Sequence, residues 1–223
     1  MPLEQLLRDI HNCPHAVRGK CPVANKFKKQ SSKKVDPIPE AYRARNPKAK
    51  LVIIGINPGI GTDDNGNCIN EYSNDFEKYK AELTQPLDRR FWQYYKAANL
   101  LRYDFINEVM VTNLIHCPTR NWTNKKDKEW WLEADEKCES VKLCNHFCFE
   151  LVDEVKPDSI LLHGLDAIEF FRKRLDWQDI PQNPKSIDIQ GRREKWEGRT
   201  VILSRHLQSI RDDASWNKLA DRS

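Results

Sequence analysis

The chain has 223 residues, 39% of them hydrophobic and 31% charged, enough apolar material for a sizeable core beneath a very polar surface. No run of about 18 apolar residues occurs, which excludes a membrane-spanning helix. The stretch MPLEQLLRDIHNCPHAVRGK at the start has no apolar h-region, so a cytoplasmic protein without a signal peptide is expected. The net charge of +4 is only mildly basic, but it is clustered. Lys26, Lys28, Lys29, Lys33 and Lys34 crowd one segment, and Arg192, Arg193, Lys195, Arg199, Arg205 and Arg211 another. Clusters of this kind can neutralise phosphates.

In chain order, residues 2–12 predict a short helix with Leu3, Leu6, Leu7 and Ile10 on one face. Residues 13–49 are rich in Pro, Lys and Ser and read as an extended or loop segment. Residues 1–49 are thus a helix plus a basic, cysteine-containing extension, ahead of a domain over 50–223. Strands are predicted at 51–56, 108–115, 159–163 and 201–204, with helices at 88–103, 127–155 and 165–175 between them. Alternation of this kind predicts a single α/β domain with a four-stranded parallel sheet flanked by helices on both faces. The polar, Gly- and Asn-containing segment 64–87 reads as a lid or wall, and 187–198, with its two Gly turns, as a hairpin or arm before the last strand.

The run LVIIGINPGIG at 51–61 matters most for function. Its strand breaks at Gly55 and delivers Ile56, Asn57, Pro58 and Gly59 to the carboxyl end of the strand, where ligands bind in open α/β sheets. The glycine spacing fits neither a dinucleotide fingerprint nor a phosphate-binding P-loop. The same reasoning brings other polar groups to that edge: Asn113 and His116 after the second strand, His163 and Gly164 after the third, and His206, Gln208 and Ser209 after the fourth. The seven cysteines leave metal or cluster ligation, or plain burial, as the choices in a compartment that keeps thiols reduced.

On these residues the chain resembles the uracil-DNA glycosylase superfamily. GINPG at 55–59 looks like the water-activating motif of the mismatch-specific uracil/thymine branch, and SRHLQSI at 204–210 stands where the superfamily carries a His-Pro-Ser-type motif. VTNLIHCP at 111–118 and the stretch from Cys144 to Pro157, followed by SILLHG and DAIEFF, resemble the iron–sulfur (family 4) branch. Two departures stand out. His206 is followed by Leu-Gln, and Cys13 and Cys21 are separated by seven residues where that branch has two.

The resemblance implies a monofunctional DNA glycosylase acting on a flipped uracil or C5-modified pyrimidine. It implies that Asn57 positions the water, with Asp63, Asp64 or Glu71 as possible bases, and that His206 donates to the base O2 as charge develops. Gly55, Ile56, Pro58 and Gly59 would wall the pocket, Phe91 would stack on the base, and Asn113 would read its edge. Ile210 would wedge into the duplex while Gln208, Ser209 and Arg211 hold phosphates. Where strict uracil enzymes carry a Tyr after the Pro, this chain has Gly59, leaving room for a bulky C5 group such as that of phage-type modified cytosine; the superfamily includes phage-defence members. It also implies a [4Fe–4S] cluster on Cys13, Cys21, Cys117 and Cys144, with Cys138 and Cys148 as spare ligands and zinc as the alternative. DNA is the expected partner of a monomer that does not enter membranes. The rival readings are a DNA-binding protein of the same fold that traps uracil or abasic DNA without turnover, and an enzyme acting on free nucleosides.

Overall fold

The computed structural model describes residues 2–17, 21–31, 37–43, 47–56, 61–62, 68–69, 72–85, 91–118, 139–180 and 189–220. In chain order its elements are α1 (Leu3–His11), α2 (Pro14–Val17), α3 (Pro22–Gln30), β1 (Leu51–Gly55), β2 (Gly61–Thr62), β3 (Cys68–Ile69), α4 (Phe76–Leu83), α5 (Trp92–Leu100), α6 (Phe105–Glu108) and β4 (Val109–Asn113). There follow α7 (Glu139–Val155), β5 (Ser159–His163), α8 (Leu165–Arg174), β6 (Arg193–Trp196), β7 (Arg199–Ser204), a 3-10 turn (Leu207–Ser209) and α9 (Asp213–Ala220). Two compact units form: one from Met1–Tyr42, Asn57–Thr84 and Thr112–Glu154, the other from Arg43–Ile56, Gln85–Val111 and Val155–Ser223.

The second unit is built on a sheet of order β4-β1-β5-β7-β6. β1 pairs parallel with β5, and β5 parallel with β7. All five residues of β1 are buried, as a strand covered on both faces must be. Alternation sends Leu51 and Ile53 of β1, Leu161 of β5 and Ile202 of β7 into one cluster with Tyr94, Ala97 and Ala98 of α5 and with Trp216 and Leu219 of α9. Burying each such aliphatic side chain is worth about 1.5–3 kcal/mol.

The sheet has five strands rather than the expected four. β6 pairs antiparallel with β7, Trp196 opposite Arg199, through a two-residue turn. Glu197 (φ 49°) and Gly198 (φ 80°) both take the positive φ that a tight hairpin turn of the favoured twist requires. Of the two readings of 187–198, the hairpin is therefore the one that forms. Its half-exposed Arg193, Glu194 and exposed Lys195 put charge on the outer strand, which discourages edge-to-edge pairing.

The first unit corrects the reading of 13–49. That segment contains α2 and α3, each opened by a proline at the first helical position, where the missing N–H is of no consequence. Its lysines obscured an apolar stripe of Val23, Ala24 and Phe27, all buried. Within segment 64–87 the described residues form two elements. These are β3, paired antiparallel with β2, and α4, whose Asp75 cap accepts from the Lys78 N–H at 2.9 Å. Tyr79 of α4 is fully buried and its hydroxyl is satisfied, donating to the Pro39 carbonyl at 2.8 Å and accepting from the Ala41 N–H at 3.0 Å. Of the helix expected at 127–155, α7 accounts for Glu139–Val155, and 127–138 lie outside the described residues. Among the described residues no helix is long and apolar enough to cross a membrane.

Candidate active site and cysteine cluster

In the second unit the carboxyl ends of β1, β5 and β7 deliver Gly55 and Ile56, then His163 and Gly164, then Arg205 and His206. His163 is opposite Ser204 in the register, so His206 follows two residues beyond a fixed pairing. Its backbone is held by the 3-10 turn: the His206 carbonyl accepts from the Ser209 N–H at 2.8 Å and from the Ser209 hydroxyl at 2.6 Å. The His206 ring meets the His163 ring edge-on, with centroids 5.0 Å apart and planes at 62°. Gly164 between them takes φ 97°, a conformation that favours glycine; the space itself is not tight, since a Cβ there would meet Cδ2 of His206 at an ordinary 3.8 Å. Behind them Tyr94 of α5 packs perpendicular to His163 at 5.4 Å and brings its hydroxyl to 3.4 Å from Nε2.

Both imidazoles are held neutral. Burial, with the His206 charge as a second cause, pushes His163 down to about 3. Partial burial lowers His206, whose inner edge faces His163 while its outer edge meets solvent. Among the described residues neither ring nitrogen of His206 has a hydrogen-bond partner. It can therefore donate to a ligand. Arg205 beside it is ion-paired with Asp212 at 2.9 Å.

The other predicted residues fall as follows. Asn57, Pro58 and Gly59 lie outside the described residues, as do Asp63, Asp64, Glu71 and Cys138. Phe91 is half-buried at the start of α5, 6.0 Å from Tyr94, with the Arg43 guanidinium 5.7 Å from its ring. Asn113 ends β4 and is buried. Gln208, Ser209 and Arg211 are exposed just past His206. Ile210 does not protrude: it is 4% exposed and belongs to the core with Leu207 and Trp216. The 3-10 turn that follows His206 rolls this side chain inward, so in this structure it packs rather than forming a wedge.

The first unit gathers the cysteines. Cys13, Cys21, Cys117, Cys144 and Cys148 are all buried and none forms a disulfide. Cys13 and Cys21 each stand directly before a proline that opens a helix, and the backbone N–H groups of those first turns point at the two thiols. A hydrogen bond links Cys21 and Cys117; it draws Cys21 down to about 7 and holds Cys117 well above the ordinary thiol range. Negative charge on Cys144, Cys21 or Cys13 opposes ionisation of Cys117, so the four sulfurs lie within electrostatic reach of one another. Beside them the Nδ1 of His116 donates to the Glu40 carbonyl at 2.7 Å, and burial pushes the imidazole down to about 4. Because Nδ1 faces a carbonyl oxygen, it is the donor.

Among the described residues no group of three or more His, Cys, Asp or Glu side chains is set to hold a single metal ion. A cubane cluster asks for something else: each thiolate binds its own iron, so the sulfurs need proximity rather than convergence on one point. Four buried thiols, two of them served by helix N–H groups that stabilise a thiolate, fit that donor set.

Two site features were missed by sequence reasoning. His163 was placed at the strand edge without a role; the sequence signal was a histidine ending an otherwise apolar parallel strand, two residues short of His206 in the paired register. Tyr94 had no signal beyond its helical position. For the cysteines, the repeated Cys-Pro step at 13–14, 21–22 and 117–118 was the unread clue.

A mostly parallel sheet, with a partly buried histidine just past its last central strand, defines an α/β protein of the kind in which ligands bind beyond the carboxyl ends of the strands. The family model of the Uracil DNA glycosylase superfamily matches residues 43–218, and the chain belongs to that superfamily. No curated protein matches it.

Proposed function

We propose that the protein is a monofunctional DNA glycosylase that hydrolyses the N-glycosidic bond of a flipped uracil or C5-modified pyrimidine and leaves an abasic site. The observation that carries this reading is His206, neutral and with both ring nitrogens open among the described residues, at the carboxyl end of β7 in a chain of this superfamily.

The chemistry follows from the bond. Breaking C1′–N1 sends its electron pair to the base, leaving an oxocarbenium-like sugar. A water oxygen then bonds to C1′, and the proton it loses ends on the departing base anion, giving an abasic sugar and a neutral free base. A neutral imidazole N–H aimed at the base O2 is worth most when negative charge develops there, and a donor of this kind contributes about 10²–10³ in rate. Asn57 orients the water through its amide, Phe91 stacks on the base, and Asn113 pairs with its edge. Extrusion from the stack costs a few kcal/mol, which phosphate contacts from Gln208, Ser209 and Arg211 help offset. No lysine stands in these motifs for Schiff-base chemistry, so strand cleavage is not expected.

Gly59 in place of an aromatic ring supports a pocket open to C5 substituents, up to glucosylated hydroxymethylcytosine, and with it a cytoplasmic role against phage DNA carrying such bases. Cys13, Cys21, Cys117 and Cys144 would hold a [4Fe–4S] cluster, which supplies structural cross-linking of α2, α3, the end of β4 and α7. Turnover of oligonucleotides carrying single modified bases by the full chain, and its loss in His206→Ala, tests the proposal. Tight binding to abasic DNA without release of any base would favour a trapping protein instead.

A further inference from the structure

His206 is the donor assigned to the base O2, yet no hydrogen bond among the described residues orients its ring. Among the described residues, what limits rotation about its side-chain bonds is packing. The packing partner is His163, which is 4% exposed and fixed at the end of β5 by its pairing to Ser204. Its own ring is pinned from behind by Tyr94, through a perpendicular ring contact at 5.4 Å and the hydroxyl 3.4 Å from Nε2. Tyr94 is in turn locked in the core with Ala97, Ala98 and Trp216.

His163 is an odd choice for mere filling. Its Nδ1 is buried without a partner, and an unmet buried polar atom costs about 1–3 kcal/mol. A Leu or Phe ending β5 would avoid that cost. An imidazole here gives a flat ring that meets His206 edge-on beside Gly164, and a nitrogen within reach of the Tyr94 hydroxyl.

We propose that His163 is a positioning residue for His206, and that Tyr94, His163 and His206 form a chain of rings transmitting the rigidity of the core to the donor that meets the leaving base. The proposal rests on the glycosylase reading for its catalytic consequence, but the orienting contact can be measured without turnover. Among the described residues, the titratable or charged groups beside His206 are His163, whose ring it meets, Tyr94 behind His163, and its chain neighbour Arg205, ion-paired with Asp212.

The test uses the full chain, with His163→Ala, His163→Phe and Tyr94→Phe. Kinetics on the best base should show kcat falling about 10- to 100-fold in His163→Ala, because small misplacement of a catalytic group has effects of that order, with KM within about twofold. His163→Phe restores a ring and should recover most of the loss; Tyr94→Phe should lose several-fold. In a His206→Ala background, adding His163→Ala should cost nothing further. Independently, NMR titration of ring-labelled histidines should show His206 moving up toward its ordinary value in His163→Ala, as water reaches the inner edge that His163 covers, and staying low in His163→Phe. Unchanged kcat and an unchanged His206 titration in His163→Ala, or losses that add in full to those of His206→Ala, would overturn the proposal. If the wild type turns over no base, the glycosylase reading fails by itself and the titration still decides the role of His163.

Discussion

The thiols of Cys21 and Cys117, one before α3 and the other just past β4, share a hydrogen bond inside the first unit, with Cys13 and Cys144 close enough to perturb the same pair. Left as thiols, these groups would be four soft ligands buried together for packing alone. Purified without oxygen, the protein should be brown and contain iron and sulfide, and Cys117→Ala should lose the colour and melt at a lower temperature. Absorption near 400 nm and an iron assay check this. A colourless, iron-free wild type that melts as high as the iron-treated sample would contradict the cluster.

His163 makes stability depend on acid. In the folded protein it titrates at about 3 against an ordinary value of 6.5. Between those values the unfolded chain binds a proton that the folded one does not, so stability falls as pH drops through that window, by about 1.4 kcal/mol per unit at the steepest. Above pH 6.5 it contributes no slope. His116, at about 4, adds to the same trend, so the informative quantity is the difference: urea unfolding of His163→Phe should show a shallower acid limb than wild type. Identical limbs would mean that His163 is protonated in the folded state.

Ile210 offers a clean separation of packing from DNA contact. It is buried beside Leu207 and Trp216, and Ile→Ala in such a place costs about 2–5 kcal/mol. Ile210→Ala should therefore lower the melting temperature by several degrees. A side chain that stood exposed as a wedge would instead leave the melting temperature alone and weaken only duplex substrates.

Most of the sheet was legible because parallel strands buried on both faces read as short apolar runs. LVIIG, VMVTN, SILLH and TVILS all lie within a residue or two of the expected limits. The fifth strand was harder, since REKW carries charge at an edge and only the Glu-Gly turn after it marked a hairpin. The helices in 13–49 were hidden because lysine and proline dominate their composition, while the fold uses the prolines as helix starts and only three apolar positions of α3 as its buried face. At the site, His206 was legible from its place after the last strand. The inward turn of Ile210 was not, because a 3-10 turn shifts which residue of a run faces the core, and no local sequence rule fixes that choice. His163 escaped notice because its partner Tyr94 comes from a helix far away in sequence.

The central claim is base excision by a site built on His206 and Asn57. The most direct measurement is a glycosylase assay on oligonucleotides carrying uracil, a G·T mismatch, hydroxymethylcytosine or glucosylated hydroxymethylcytosine. Wild type is to be compared with His206→Ala and Asn57→Ala. The account predicts abasic-site formation on at least one of these bases, reduced about 10²-fold or more in each variant. No abasic product from any of them, or product formed equally well by both variants, would contradict it.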